Sequence, residues 1–562
     1  MNRRILFLFF LLLFSLVAVQ AQNVPNDSLK NVEILNARVF RVKKSASNED
    51  LQILSGNVQL RQNTTLFNCD SCVINNTTKV FEAFGNVHII DDTTNIYSNY
   101  LRYLMSTKKA FLHDKVHLND GHSDLTTNDL EYDVNDKIGV YKNGGKVVSK
   151  TSVLTSKEGV YYADLHDIYF KHDVVLDDPA YHLTSDSLLY NSENQTARFI
   201  AETFMRDSSG RTVHTTEGVY NLHTGSSQFT QRTTIVDGKT RIIGNQIASD
   251  DSTGLVQILG NGVLIDTAQG VSILANEIFA DRKKAAYLAT RKPLMIIKQE
   301  KDSIYVTADT LFTAKLSDRF RAQDSLANIA DISDSTQLTD STDSDSVHLV
   351  SSVSAHKAAI KTDTVFKKPI LANDSTDRYF EGFRHVRIYS DSVQAVSDSL
   401  FYSFKDSTFR LYYDPLVWSH NSQMRGDTIY MYTKNKKPDH IKLFEHGFMI
   451  NEAEPGVYNQ VKATRIDGYF KAGKLDSVRA KGAAESIYYL QNEDSTYTGI
   501  NQSSSEIMDV YFREGDLNRV VFRSSVKGTL YPASEAKHNP FQLKDFEWLE
   551  KRRPKTKYEM YE

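Results

Sequence analysis

The sequence has little cysteine, proline and tryptophan, with only 2, 10 and 2 of these residues among 562. Two cysteines exclude a disulfide scaffold, and ten prolines exclude a collagen-like chain. An excess of positive charge is also missing, because 66 basic residues stand against 70 acidic ones and the formal net charge is −4. A nucleic-acid-binding protein needs a basic surface, so the charge gives no support for that class.

Long apolar runs are missing after the N-terminus, where no stretch approaches the roughly 18 residues of a membrane-spanning helix. Residues 1–21 are predicted to be a secretory signal peptide. Arg3 and Arg4 precede an apolar run that ends at Val19, and Ala21 lies at the expected cleavage site. An uncleaved N-terminal anchor is the alternative. Either interpretation places the chain outside the cytoplasm.

The residues that are plentiful favour β-structure. Hydrophobic residues make up 40% of the chain, so it can bury a core, and Tyr and Phe occur 29 times each. Helical periodicity is nearly absent, whereas aromatic and β-branched residues in short alternating runs are typical of strands.

One short pattern recurs along the chain: a small residue, an Asp, Asn or Glu, any residue, and an aliphatic residue that is often followed by an aromatic one. Its polar positions are 28 to 33 residues apart, at 70, 99, 128, 158, 186, 217, 245, 276 and 309. The first copy is Cys69-Asp70-Ser71-Cys72. Because the polar residue recurs in nearly every copy, we interpret it as a structural hydrogen-bonding position rather than a local active site.

A second pattern lies between the copies of the first: Gly-Asn-Val or a relative, followed by an alternating strand. Val58, Val87 and Val116 are 29 residues apart. Gly and Asn tolerate positive φ and therefore predict a tight turn. A unit of about 30 residues cannot bury its own apolar face, so the units are expected to stack strand beside strand.

The period sets the predicted domain bounds. They are a signal peptide (1–21), a repeat region (22–315), a disordered Ser/Asp-rich insertion (316–377), a second repeat region (378–532) and a polar tail (533–562) with a basic stretch at 551–555. The tail is expected to be solvated, and contact with anionic lipid or a partner is the alternative.

Catalytic constellations are not recognisable. The sequence has no G-x-S-x-G, no H-E-x-x-H and no P-loop, so we predict no enzyme activity, no cofactor and no metal site. Cys69 and Cys72 occupy the small and aliphatic positions of the repeat, which favours two buried strand residues over a redox pair. His88 and His117 alternate with apolar neighbours and are expected to face away from the apolar side.

With these two patterns in this order, the sequence resembles the OstA-like family of lipopolysaccharide-transport proteins. The resemblance covers residues 31–315 strongly and 379–532 more weakly. It implies an all-β fold, an elongated antiparallel β-jellyroll open along one seam, whose apolar interior accepts the acyl chains of lipid A. It also implies end-to-end strand pairing with other jellyroll components, no nucleic-acid partner, and a periplasmic location in a Gram-negative bacterium, with association with the outer membrane as an option. The chain is longer than the usual bridge proteins of this family.

The candidate lipid-binding residues are those that alternate toward the predicted interior. They are Val58, Leu60, Val87, Ile89, Val116, Leu118, Val174, Leu176, Val263 and Ile265. An ordinary packed core is the competing interpretation for each of them. Two other functions stay open: a secreted β-solenoid enzyme acting on polysaccharide, which needs a local cluster of acids, and a structural or adhesive rod, which needs a filled interior.

Overall fold

A computed structural model describes residues 32–298, 302–320, 376–435, 437–492, 496–513, 516–537 and 541–561. The predicted signal peptide, and residues 321–375 of the predicted insertion, lie outside the described residues. The chain divides into two compact units between His223 and Thr224. Among the described residues, no helix is long and apolar enough to cross a membrane.

The first unit is built from antiparallel strands. They are β1 (Glu33–Asn36), β2 (Val39–Lys44), β3 (Asp50–Gln62), β4 (Thr65–Asn75), β5 (Val80–Asp91), β6 (Thr94–Leu104), β7 (Lys109–Asn119), β8 (Asp124–Asp133), β9 (Ile138–Tyr141), β10 (Gly145–Ser149), β11 (Ser152–Ser156), β12 (Glu158–Tyr162), β13 (Asp167–Asp177), β14 (Tyr181–Asn191), β15 (Thr196–Phe199), β16 (Thr203–Asp207), β17 (Thr212–Thr215) and β18 (Gly218–Asn221). A single 3-10 turn, Ala163–Leu165, joins β12 to β13.

The second unit repeats this construction. Its strands are β19 (Ser226–Phe229), β20 (Thr233–Asp237), β21 (Thr240–Gly244), β22 (Gln246–Asp250), β23 (Leu255–Asp266), β24 (Val271–Asp281), β25 (Ala286–Thr290), β26 (Leu294–Lys298), β27 (Ser303–Thr307), β28 (Thr310–Ala314), β29 (Tyr379–Tyr389), β30 (Gln394–Ser403), β31 (Thr408–Tyr412), β32 (Leu416–Ser419), β33 (Ser422–Arg425), β34 (Thr428–Lys434), β35 (Lys437–Glu454), β36 (Val457–Lys471), β37 (Lys474–Gln491), β38 (Tyr497–Arg513), β39 (Asp516–Arg523) and β40 (Lys527–Pro532). Short 3-10 turns follow at Ala533–Lys537, Glu550–Arg552 and Lys557–Met560. The predicted all-β class with antiparallel pairing is confirmed.

Long strands of the first unit bend at a corner where two consecutive residues have positive φ. In β5 these are Gly85 at +73° and Asn86 at +44°, and the register between β5 and β6 shifts there. Gly56 and Asn57 form the same corner in β3, with φ of +84° and +50°. The extra residue of such a bulge bends the strand. The recurrent Gly-Asn of the sequence is therefore a corner rather than a hairpin turn.

The corners divide the first unit into two layers. The A layer contains 51–55, 71–75, 80–84, 100–104, 109–113, 129–133, 138–141, 158–162, 167–171, 187–191, 196–199 and 218–221. The B layer contains 58–62, 65–69, 87–91, 94–98, 116–119, 124–127, 145–149, 152–156, 174–177, 181–185, 203–207 and 212–215. Each long strand thus contributes one half to each layer, and alternate residues of both halves are buried.

The recurrent small-polar pair holds the corners. Hydroxyls at the small position donate to the carbonyl two residues later, at 3.0 Å from Ser98 to Tyr100 and 3.1 Å from Ser185 to Ser187. The polar side chain next to them binds the following corner, as in the 2.9 Å hydrogen bond from Asn86 to Asp70. These bonds give the Ser/Thr and Asp/Asn columns the structural role that their recurrence indicates.

A β-carbon at Gly85 would clash with the Asp70 carboxylate. We therefore expect Gly85→Ala to lower the free energy of unfolding by about 2–4 kcal/mol, because it combines a positive φ with a clash. The matched control is Gly121→Ala, at φ of +87° with no atom within 4 Å of the added carbon, where the loss should stay near 1 kcal/mol. Chemical denaturation measures both, and equal losses would contradict this account of the corner.

The described ends of the predicted insertion are attached to the second unit. Residues 316–320 form a short helical turn, and Leu316 is buried beside Tyr379. The Ser317 hydroxyl donates to Asp377 at 2.6 Å. Residues 316–320 and 376–377, which the sequence assigned to the disordered insertion, are therefore ordered. Disorder of residues 321–375 stays a prediction.

Candidate functional site: the interior between the two layers

Eight of the ten candidate residues lie between the layers of the first unit, on the B layer. Val58, Leu60, Val87, Ile89, Val116, Leu118, Val174 and Leu176 each expose no more than 1% of their surface. They are the second and fourth residues after the start of each corner, which is why strict alternation identifies them. Their inward orientation agrees with the prediction, whereas a lipid-binding role is not tested by burial.

Val263 and Ile265 are the exception, and the predicted inward orientation of this pair is wrong. Both are only half-buried, whereas Gly262 and Leu264 between and beside them are buried. The corner here is Gly260-Asn261, and pairing with β24 resumes at Gly262. Gly262 therefore takes the position that Val58 and Val87 hold elsewhere. Leu264 likewise takes the position of Leu60. Val263 and Ile265 are therefore one residue away from the inward positions, and a step of one residue along a strand places a side chain on the opposite face.

The interior of the first unit is closed by aromatic packing. Phe67 on the B layer meets Phe81 and Tyr103 on the A layer, with ring centroids 5.1 and 4.8 Å apart. Phe81 and Tyr103 are themselves 5.0 Å apart. All three are at most 1% exposed. An acyl chain therefore has no room here unless the layers separate or these rings move.

Hydroxyl groups close the side of the interior that lies opposite the corners. We call Tyr103, Tyr132 and Tyr161 the tyrosine column; they follow one another at 29-residue intervals and are fully buried. Each reaches from the A layer to a polar residue at a B-layer hairpin end: Tyr103 to Gln62 at 2.6 Å, Tyr132 to Asp91 at 3.1 Å and Tyr161 to Ser123 at 2.6 Å. Burial raises the pKa of all three phenols, so they stay protonated.

Asp120 is the most densely bonded group at this closed side. Its side chain accepts hydrogen bonds from the backbone amides of His122 and Ser123 at 2.9 and 2.8 Å, and from His166 at 2.9 Å. Burial alone would raise the pKa of this carboxyl. The hydrogen bonds from His166, Tyr161 and the two amides outweigh burial and lower it. Asp120 therefore links a B-layer turn to the turn that precedes β13.

Cys69 and Cys72 are buried free thiols on either side of a corner. The hydrogen bond between them lowers the pKa of Cys69 and raises that of Cys72. Their positions agree with the interpretation as buried strand residues. His88 and His117 lie on the outer face, as expected, and stack on Tyr97 with centroids 4.2 and 5.9 Å away. No cluster of three or more potential metal ligands occurs in the part of the chain that the structure describes.

Sequence reasoning missed the tyrosine column, because alternation shows which face a residue takes but not what its hydroxyl meets. A usable signal was present in the polar pairs Gln62/Thr65, Asp91/Thr94 and Asp120/Ser123, which repeat at the same 29-residue interval. All six are buried. Because these polar residues recur beside the apolar columns, they indicate a row of structural hydrogen bonds on the side of the interior opposite the corners.

Comparison with known proteins supports one family. Residues 30–186 match the family described as OstA-like protein. The predicted resemblance is therefore confirmed for this segment, which contains eight of the ten candidate residues. No curated protein matches the chain.

A solved structure is also similar to part of the chain. It is that of LptH from Pseudomonas aeruginosa, described as the LptA-homologous periplasmic component of a lipopolysaccharide transport device. Its sequence is 10% identical, and the alignment covers 24% of this chain and 79% of that one with a TM-score of 0.13.

Proposed function

We propose that this protein is a non-enzymatic component of lipopolysaccharide transport, which binds lipid A acyl chains between its two layers and bridges part of the path to the outer membrane. The observation that carries the proposal is the OstA-like match of residues 30–186. The matched segment contains the apolar columns of the first unit, in which Val58, Val87 and Val116 are equally buried. The proposal needs no cofactor and no catalytic step.

The physical basis is the cost of exposing hydrocarbon to water. Burial of each methylene group is worth about 0.8 kcal/mol, so a chain of a dozen carbons gains about 10 kcal/mol, which is available to offset the packing that the layers lose by parting at one unit. Repetition of the columns offers a succession of equivalent sites. Transport then requires the layers to open locally, which breaks hydrogen bonds of the tyrosine column one or two at a time.

Partner contacts are proposed at the strand edges. In the first unit β1 and β2 pair with β3, and within the described residues they have no other strand partner. They expose Ile34, Leu35, Phe40 and Val42. A strand that has one unpaired edge and apolar side chains is a template for another strand. We therefore propose that a second jellyroll adds to this edge, in the periplasm, after export directed by residues 1–21.

A structural rod is the second candidate function. The complete burial of Leu60, Ile89 and Val116 favours it, because a filled interior needs no ligand. The two functions differ in one consequence. A conduit must admit hydrocarbon to these residues for part of the time, and a rod must never do so.

Photocrosslinking in cells distinguishes these functions. A photoreactive amino acid at Val87 or Val116 is expected to crosslink to lipopolysaccharide, because both side chains face the interior. The same amino acid at His88 or His117, one residue along and on the outer face, is the matched control and should give little product. Equal crosslinking at inner and outer positions, or none at the inner ones, would contradict the transport proposal and favour the rod.

A further inference from the structure

The polar tail packs against the second unit instead of lying in solvent. Residues 541–561 cross the strands from β38 to β27, and Leu543 and Met560 are at most 7% exposed. Leu543 joins a buried cluster with Phe448, Ile450 and Ile487. At the other end Tyr561 approaches Tyr305 on β27 at 6.5 Å between ring centroids. The basic stretch is also paired, with Arg552 bound to Asp414 at 2.6 Å. The predicted solvated end is thus replaced by an ordered segment, which we call the C-terminal strap.

Two buried glutamines form hydrogen bonds with the backbone of the strap. Gln460 donates to the Phe541 carbonyl at 2.9 Å and accepts from the Leu543 amide at 2.8 Å. Gln423 binds the Glu547 carbonyl and the Leu549 amide in the same way, both at 2.7 Å. Each side-chain amide therefore pairs with a donor and an acceptor of an extended chain, as a neighbouring strand would.

A third buried glutamine, Gln394, also contacts the strap. Gln394 accepts two hydrogen bonds from Arg553, at 2.9 and 2.7 Å. Gln394, Gln423 and Gln460 are at most 5% exposed and alternate across the strands with Trp418 and Ile450. We call these five residues the glutamine row. Its apolar members give the strap its side-chain contacts, since Leu549 packs on Trp418 and Leu543 on Ile450.

Charges support this arrangement along the strap. Asp545 pairs with Lys462 at 2.7 Å and Glu547 with Arg425 at 2.5 Å. Farther along, Glu559 pairs with Arg387 at 3.2 Å. All of these ion pairs lie at the surface, where each is worth at most about 1 kcal/mol. They orient the strap, whereas the glutamines and the two leucines hold it.

We propose that the glutamine row is a binding face for an extended polypeptide, with the strap as its ligand in cis, and that a separate polypeptide of the same chemistry can replace the strap. Any extended segment has the backbone groups that the glutamines bind. We therefore expect the face to distinguish between peptides by their side chains: two apolar residues six positions apart, as at Leu543 and Leu549, followed by an arginine, as at Arg553. The tether raises the effective concentration of the strap. A partner must therefore outcompete a ligand that is always present.

The test uses the full chain with a protease site inserted between Lys537 and Phe541. After cleavage, a fluorescent peptide of residues 541–561 should replace the strap and bind saturably, as followed by anisotropy. Gln423→Ala and Gln460→Ala should each weaken binding by roughly tenfold, because each removes two backbone hydrogen bonds. Gln502→Ala is the matched control: Gln502 lies opposite Ile487 on the same face, is exposed, and should leave the affinity unchanged.

Variation of the peptide keeps the test independent of protein folding. A peptide with both Leu543 and Leu549 replaced by aspartate should bind at least roughly a hundredfold more weakly, since two buried apolar contacts are lost. Hydrogen exchange of β35 and β36 should show that the cut protein keeps its fold. Failure of the native peptide to bind, or equal binding of the aspartate peptide, would overturn the proposal. Unfolding on cleavage would do so too, because the strap would then be core rather than ligand.

Discussion

Asp120→Ala is expected to destabilise the first unit by about 3–5 kcal/mol, the usual cost of removing one partner from a buried charged network. The carboxylate is 3% exposed and serves the amides of His122 and Ser123 as well as His166. Alanine leaves the buried amide of Ser123 without an acceptor and removes the partner of the partly buried His166 ring. The loss should appear as a lower midpoint in chemical denaturation, together with faster hydrogen exchange in β8 and β12.

Asp124→Ala is the matched control for this variant. Asp124 belongs to the next strand and bonds His117 at 2.8 Å, yet its side chain is 45% exposed. Such an exposed pair is worth about 1 kcal/mol or less. Similar losses for the two variants would contradict the conclusion that burial makes Asp120 a structural link between the layers.

The effect of Asp120 should also depend on pH in one direction. Because the pKa of this carboxyl is lowered in the folded protein, the unfolded chain takes up its proton first. The stabilisation is therefore fully present above the ordinary carboxyl pKa of about 3.9, and it is lost as the pH falls through the lowered folded value. The difference between the wild-type protein and Asp120→Ala should be large at pH 7 and should shrink below about pH 4.

The inner columns of the first unit were predictable because the repeat is regular. Val58, Val87 and Val116 share one spacing, and strict alternation gives their face. The same rule failed at Val263, because the strand resumes at Gly262 and this glycine occupies the first inward position. A single sequence cannot show whether a second glycine belongs to the corner or to the strand, because glycine has no side chain to reveal a face.

The sequence could not predict the hydrogen bonds between the layers or the packing of the strap, and the reason is different. Tyr132 and Asp91 are 41 residues apart, and nothing local indicates that their oxygens meet. In the strap, Leu543, Leu549 and Met560 follow no strand or helix period, and Leu543 and Leu549 pack against two separate hydrophobic clusters. Such a segment looks like a polar tail until the surface beneath it is known.

Phe81→Ala is expected to cost about 3–5 kcal/mol, the range for removing a large aromatic ring from a packed core. The ring is fully buried and packs on Phe67 and Tyr103 between the layers. Phe84→Ala is the control on the same strand. Phe84 points outward, is 41% exposed and meets mainly Tyr100, so its loss should stay near 1 kcal/mol. Chemical denaturation of both variants measures the difference.

The Phe81 variant also separates a conduit from a rod, because it removes part of the aromatic contact that closes the interior. If the layers part to admit acyl chains, folded Phe81→Ala should bind a fluorescent fatty acid more tightly than the wild-type protein does, since less packing has to be broken. The added ligand should then recover part of the lost stability, as any ligand specific for the folded state does. Phe84→Ala should bind as the wild-type protein does. A destabilised Phe81→Ala protein that neither binds nor is stabilised by fatty acid would show that the rings are ordinary core, and the transport proposal would lose its proposed path through the first unit.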